Sequence, residues 1–260
     1  MTQSDYSQFI CRTIALSLCA ITFICLPGCV TETTGGLPGP APKETRVKTQ
    51  LELARGYMEK RDWIRAKPPL QRALQIDSAS VEAHVLSGVM YQAEGEPRLA
   101  EGHFKRALRI DPENPQALNN YGSFLYAEER FNDALVPLST LVENPDYRAR
   151  PRAYESLGLT YIRVGSTTKA ISAFRRALEL NFQLARANLE LALILFEEGQ
   201  VKEASQHFFL YNRAGKPTGR STCLGLKIAL IQKDENQEAR YRLSLNNLFP
   251  DQSAQCLKTI

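Results

Sequence analysis

The residues best suited to chemistry are few and scattered along the chain. Its three histidines, His84, His103 and His207, do not follow a spacing typical of metal ligands. His103 and His207 instead occupy the same position of a sequence repeat, described below, immediately before a bulky apolar residue. The chain has no glycine-rich phosphate loop and no Ser/His/Asp order with supporting context. The sequence therefore predicts no catalytic residue, no metal, no cofactor and no enzyme.

The N-terminal cysteines belong to an export signal. Residues 14–25 form an apolar run that is short for a membrane span and suits the central region of a secretory signal peptide. The run leads into Leu26-Pro27-Gly28-Cys29, which has the form of a bacterial lipobox. We expect residues 1–28 to be removed and Cys29 to be acylated, which would anchor the protein in a lipid bilayer. An ordinary signal peptide with an incidental cysteine is the alternative.

The residues after the lipobox give the expected location and tether. Val30 follows Cys29, and the absence of Asp at that position favours the periplasmic face of the outer membrane over retention in the inner membrane. Residues 29–46 are rich in Thr, Gly and Pro and are predicted to form a flexible tether.

Apart from the acylated Cys29, two cysteines remain in the mature chain, Cys223 and Cys256. An exported protein lies in a compartment that permits disulfides. Cys256 follows the last repeat, about where a further hairpin would pack back against Cys223. We predict a Cys223–Cys256 disulfide, with two free thiols as the alternative.

The helices that must position these residues are marked by a repeat. Each copy carries an alanine, a bulky apolar residue four positions later and, in the first five copies, a small residue twelve positions earlier. The alanines are Ala66, Ala100, Ala134, Ala170, Ala204 and Ala239, at intervals of 34, 34, 36, 34 and 35 residues. Their bulky partners are Leu70, Phe104, Leu138, Phe174, Phe208 and Leu243. A helical hairpin of about 34 residues is typical of tetratricopeptide (TPR) repeats.

The pattern predicts an all-α, right-handed superhelical solenoid of six TPR hairpins. The predicted repeats span 47–80, 81–114, 115–148, 151–184, 185–218 and 220–253, followed by a tail at 254–260. Pro68, Pro69 and Pro137 fall just inside second helices, where we expect local kinks.

The first helix of each repeat lines the concave face of such a solenoid. Positions 2, 5, 9 and 12, counted from the first residue of each predicted repeat, are expected to face this groove. In the first three repeats these positions carry both apolar and polar residues. We predict that this half binds a polar extended or helical segment of a partner protein. The predicted contact residues are Leu51, Arg55, Met58, Val85, Val89, Gln92, Asn119, Ser123 and Tyr126.

The same positions are apolar in the later repeats. They include Leu159, Ile162, Leu189, Leu193, Phe196, Leu224, Ile228 and Ile231. An apolar surface of this extent either binds an apolar segment of another chain or is buried by tight curvature. The sequence leaves both readings open.

The charge pattern does not indicate nucleic-acid binding. The formal net charge is +4, and removing residues 1–28 leaves it unchanged because one Arg and one Asp are lost together. Basic residues do not form runs interleaved with aromatic ones. We expect a protein partner and a monomeric chain.

Three strings carry a family resemblance: Leu118–Tyr126 (LNNYGSFLY), Lys67–Leu74 (KPPLQRAL) and Asn247–Pro250 (NLFP). With the lipobox and six repeats, they resemble the type IV pilus biogenesis/stability lipoproteins, the pilotins. The resemblance implies an outer-membrane lipoprotein that helps the type IV pilus secretin reach the outer membrane and multimerise. A TPR scaffold lipoprotein of another envelope machine, for β-barrel assembly or cell-wall synthesis, is the alternative.

Overall fold

A computed structural model describes residue 39 and residues 41–258, and the predicted signal peptide, Cys29 and most of the tether lie outside this range. The described residues contain thirteen helices and no strand. None of these helices combines the length and the apolar composition needed to cross a membrane. The helices are α1 (Lys43–Glu59), α2 (Trp63–Ile76), α3 (Val81–Ala93), α4 (Pro97–Ile110), α5 (Pro115–Ala127), α6 (Phe131–Glu143), α7 (Arg150–Arg163), α8 (Thr167–Leu180), α9 (Ala185–Glu197), α10 (Val201–Ala214), α11 (Gly219–Gln232), α12 (Glu235–Leu248) and α13 (Pro250–Leu257).

Consecutive helices pair into six hairpins, from α1–α2 to α11–α12, which confirms the TPR solenoid. Local signals set the helix ends. Ser80 and Asn114 cap α3 and α5, each accepting a backbone N–H three residues later. Gly95 and Gly165 lie in the turns inside two hairpins with φ of 77° and 74°, a conformation that costs other residues more than glycine.

The small and bulky frame positions meet across each hairpin. A Cβ added to Gly88 would lie 2.6 Å from the ring of Phe104, and one added to Gly158 would lie 2.6 Å from that of Phe174. Ala100 and Phe104 are fully buried. A small residue on the first helix therefore admits the bulky residue of the second, as the spacing predicts for the first five repeats.

The sixth repeat departs from the predicted frame. Ala239 is exposed and Leu243 is 62% exposed, so neither is the core residue that the spacing indicates. The equivalent contact joins Gly225 and Tyr241, where an added Cβ would lie 2.6 Å from the tyrosine ring. The turn between α11 and α12 has two residues, whereas the other hairpins have three. The packing pair is thus two residues earlier than predicted, although it keeps the separation of 16 residues that Gly88 and Phe104 have.

Both ends of the repeat region are more helical than predicted. Helix α1 begins at Lys43, inside the predicted tether, and Lys43 Nζ lies 3.0 Å from the carboxylate of Asp77 at the end of α2. Most of the predicted tail at 254–260 belongs to α13 or to the residue after it. Cys256 of α13 packs with Leu226 and Leu245, so α13 covers the core of the last hairpin. Helices α2 and α6 continue through their prolines, and a kink there stays a prediction.

Candidate partner-binding groove

The first helices of neighbouring repeats lie beside one another from α1 to α9 and form the candidate groove. Two of the predicted contact residues are not part of its surface. Leu51 and Val85 are each only 4% exposed. Leu51 packs in a cluster with Met90, and Val85 packs with Ala117 of the next repeat. Position 5 of the first and second repeats thus fills the joint to the next repeat, which corrects the prediction for these two residues.

The other predicted residues of the first three repeats remain partly or fully accessible. They are Arg55, Met58, Val89, Gln92, Asn119, Ser123 and Tyr126. The Arg55 Nε lies 3.2 Å from a carboxylate oxygen of Glu82 on the next first helix. The Tyr126 ring meets the Phe131 ring edge-on, with centroids 5.2 Å apart. This half of the groove therefore offers apolar, charged and hydrogen-bonding side chains to solvent.

The later repeats use the apolar groove positions differently. Leu189, Leu224 and Ile228 are 7%, 2% and 5% exposed and pack in one cluster with Phe208 and Tyr211. Burial between helices therefore accounts for these three residues, as one of the two sequence-based readings proposed.

Some apolar surface remains open at this end of the groove. Leu193 and Phe196 are half-buried and line a cavity of about 540 Å³, together with Arg220 and Lys227. The open apolar surface of the C-terminal groove is thus smaller than its sequence suggests, and charged side chains, including Glu197, line it as well.

Cys223 and Cys256 are joined by a disulfide in the structure, with their Cα atoms 5.7 Å apart. This separation lies within the range that a disulfide spans. The bond ties α13 to α11 at the edge of the C-terminal cavity.

Comparisons with known proteins agree with this architecture. Residues 51–115, 91–148 and 155–211 match the tetratricopeptide repeat family. The chain is 32% identical to the type IV pilus assembly protein PilF of Pseudomonas aeruginosa over 239 residues, which cover 92% of this chain and 95% of PilF. The chain belongs to the PilF family of tetratricopeptide repeat proteins.

Solved structures extend the relationship to three dimensions. The P. aeruginosa PilF structure matches with a TM-score of 0.79 and 31% identity, covering 84% of this chain and 99% of that one. PilW, a widely conserved type IV pilus biogenesis factor, matches with a TM-score of 0.68 and 25% identity, covering 81% and 98%. The protein is thus homologous to TPR proteins of type IV pilus biogenesis over nearly all of its described residues.

Within this PilF-family fold, one partly buried and one buried carboxylate connect neighbouring repeats in the later part of the solenoid. Glu155 accepts the backbone N–H of Ala187 at 3.0 Å, in the first turn of α9. Its burial raises the pKa of the Glu155 carboxyl, and the Ala187 N–H opposes that shift. Glu190 is 8% exposed and binds both terminal nitrogens of Arg220, at 3.0 and 3.1 Å. Sequence reasoning missed both joints because each pairs residues about one repeat apart.

The histidines occupy matching positions in two repeats of the PilF-family solenoid. His84 Nδ1 lies 3.0 Å from His103 Nδ1 in the second repeat, and His207 Nδ1 lies 3.0 Å from Asn188 Oδ1 in the fifth. The repeat position predicted for His103 and His207 is thus a hydrogen-bonding position between first and second helices. Among the described residues, no three His, Cys, Asp or Glu side chains form a group suited to a metal ion.

Proposed function

We propose that this protein is an outer-membrane lipoprotein that binds the type IV pilus secretin and promotes its localisation and multimerisation. In this proposal acylated Cys29 anchors the chain on the periplasmic face, and the repeats hold the secretin. The protein acts by binding and performs no catalysis.

The observation that carries the proposal is the relationship to PilF over 92% of this chain and 95% of PilF. Single TPR motifs occur in proteins of many functions, so the repeat alone does not favour pilus biogenesis over another envelope role. A match that covers most of both chains is far more specific.

The groove of the first three repeats supports a docking role for that half. Met58 and Val89 are partly accessible apolar side chains, and Gln92 and Asn119 are partly accessible amides. Apolar anchors contribute much of the affinity of an interface, while hydrogen-bonding groups fix the register of the bound segment. We propose that a secretin segment lies along these residues.

Deletion of the gene tests the proposed partner. Blots of membrane fractions should show fewer secretin multimers and more secretin monomer in the deletion strain. Assembly of β-barrel proteins and cell-wall synthesis should remain at wild-type levels. Normal secretin multimers together with a defect in one of those processes would support the alternative, a scaffold of another envelope machine.

Substitution of Cys29 tests the anchor separately. Lipid chains contribute about 0.8 kcal/mol per buried methylene, so a diacylated cysteine holds a protein stably on a membrane. Cys29→Ser should release the protein to the periplasm or leave the signal peptide uncleaved. Continued flotation of this variant with outer-membrane vesicles would mean that another segment provides the anchor.

A further inference from the structure

A small pocket opens in the groove between the third and fourth repeats. It has a volume of about 120 Å³ and lies between α5 and α7, with Arg186 of α9 at its edge. Leu138, which is 1% exposed, packs against Gly122 so closely that an added Cβ would lie 2.8 Å from it. The absence of a side chain at Gly122 therefore brings apolar surface to the pocket.

The pocket has the size and lining to hold one aliphatic side chain. Leu138 and Leu159 provide apolar surface, and Ser123 and Ser156 contribute hydroxyl groups. An apolar protein cavity of about 150 Å³ accommodates benzene. A slightly smaller and partly open pocket fits a Leu, Ile, Val or Met side chain and excludes an indole ring.

The charge at the mouth of the pocket is positive. Arg186 is exposed, and within the described residues its guanidinium makes no hydrogen bond or ion pair. The described lining of the pocket contains no Asp or Glu. The nearby carboxylate of Glu155 already accepts the Ala187 N–H and lies in the field of Arg152 as well as Arg186. Arg186 is therefore placed to attract a carboxylate from a bound segment.

We propose that this pocket, formed by Gly122, Ser123, Leu138, Ser156 and Leu159, anchors one aliphatic side chain of the partner, and that Arg186 binds an acidic residue beside it. The occupant is a peptide segment with an aliphatic residue within about two positions of Asp or Glu. This inference deepens the proposed function, on which it rests, and adds the fourth and fifth repeats to the docking half.

Peptide selection tests the pocket without assuming the secretin. Random 12-residue peptides displayed on phage are selected against the purified mature protein. The enriched peptides should share an aliphatic residue beside an acidic one. Selection against Arg186→Glu should replace the acidic residue with Lys or Arg. An enriched motif without an acidic residue, or one that Arg186→Glu leaves unchanged, would overturn the inference.

Arg152→Glu is the matched control for the charge reversal. Arg152 acts on Glu155 as Arg186 does, yet it does not line the pocket. The enriched motif should survive this change. If both reversals alter the motif equally, Arg186 acts through Glu155 and not through the peptide, which also contradicts the inference.

Filling the pocket tests the aliphatic anchor. Ser156→Leu should weaken binding of an enriched peptide by about tenfold or more, with an unchanged circular dichroism spectrum. Ser172→Leu, on the exposed face of α8, is the control and should bind normally. Ser123→Leu fills the exposed side of the pocket and replaces Ser156→Leu if that variant does not fold. Wild-type affinity in a folded filling variant would exclude the pocket.

Secretin peptides separate this inference from the proposed function. A tiled set of 15-residue peptides covers the periplasmic part of the secretin. If Arg186→Glu and Ser156→Leu both keep wild-type binding to secretin peptides, the pocket inference fails and the proposed function stands. If the random library yields the expected motif but no secretin peptide binds, the pocket stands and the proposed function fails.

Discussion

The first three repeats and the last two differ in the burial of some of the residues that were predicted to face the groove. In the early repeats Met58, Val89 and Asn119 keep part of their surface open. In the late repeats Leu189 and Leu224, which share the repeat position of Asn119, and Ile228, which shares that of Val89, are buried between helices. Helix α13 and the Cys223–Cys256 bond further close the C-terminal end. Apolar residues in a solenoid groove therefore do not identify a docking site until their burial is known.

The largest expected effect belongs to the C-terminal disulfide. Its cysteines are separated by 33 residues, and in the chain-entropy treatment a loop of this length stabilises the fold by about 3–4 kcal/mol. The double variant Cys223→Ser/Cys256→Ser should lose up to this amount in urea unfolding. Thiol labelling of the denatured, unreduced mature protein should find no free thiol, and two reactive thiols would contradict the bond.

Truncation of buried and open groove positions tests the comparison directly. Leu224 is 2% exposed, so Leu224→Ala should cost about 3 kcal/mol through lost burial and a new cavity. Met58→Ala, at a half-open position, should cost less than about 1 kcal/mol. Equal losses of unfolding free energy in the two variants would contradict the distinction between buried and open groove positions.

Overpacking of the small-residue frame should have an intermediate effect. Ala100 is fully buried at a close helix crossing, so Ala100→Leu should destabilise the protein by about 1–3 kcal/mol. Ala239→Leu is the matched change in the sixth repeat, where the alanine is exposed. The melting temperature of that variant should stay close to wild type. A loss of stability as large as that of Ala100→Leu would mean that Ala239 is a core residue, as the sequence spacing predicts.

Acid should weaken the second repeat more than the fifth. Burial lowers the pKa of His84 and of His103 below the ordinary 6.5, and each also experiences positive charge, from Arg106 and Arg109 or from the other histidine. The neutral rings are thus favoured in the folded state. The contribution of these two neutral histidines to the stability of the fold is fully present above pH 6.5. It is lost as the pH falls from 6.5 toward their lower pKa values in the folded state. Tyr91 stacks on His103, and Lys67 lies over the Tyr91 ring. These contacts therefore bring no acidic group to His103 that would favour its protonation.

The fifth repeat provides the control for this prediction. Burial also lowers the pKa of His207, but Glu203 opposes the shift, and the hydrogen bond that His207 donates to Asn188 survives protonation.

The fifth repeat also suggests a substitution for His84. His84 Nε2 contacts the Ser78 carbonyl, just as Asn188 Nδ2 contacts the Phe182 carbonyl. His84→Asn should therefore keep the contacts with His103 and with the Ser78 carbonyl. It should reduce the loss of unfolding free energy at acid pH by on the order of 1 kcal/mol. Urea unfolding at pH 5 and pH 8 measures this, and an unchanged pH dependence would contradict the assignment.

Much of the fold follows from the sequence because small and bulky residues recur at fixed spacing. The frame succeeds at Gly88 and Phe104, where the hairpin buries both. It fails at Ala239 because the packing pair of the sixth repeat is Gly225 and Tyr241, two residues earlier than the spacing of the alanines indicates, and an alanine is compatible with burial or exposure.

The groove is less predictable than the frame. Leu51 and Val85 satisfy the groove positions but fill joints between repeats, and only the packing of neighbouring hairpins decides this. The pocket at Arg186 combines residues from three repeats, so no local pattern announces it. The Cys223–Cys256 pairing was accessible to sequence reasoning because two cysteines remained for one bond.

The central claim is that docking uses the early groove and its pocket at Arg186, and that the apolar groove residues of the last two repeats serve folding. Asn119→Ala and Tyr126→Ala represent the first half, and Leu193→Ala and Phe196→Ala represent the second. Each variant is scored by circular dichroism and by blots for secretin multimers. The account predicts that the first pair lowers multimers while the melting temperature stays within a few degrees of wild type. Loss of multimers only from the second pair, with folding intact, would contradict it.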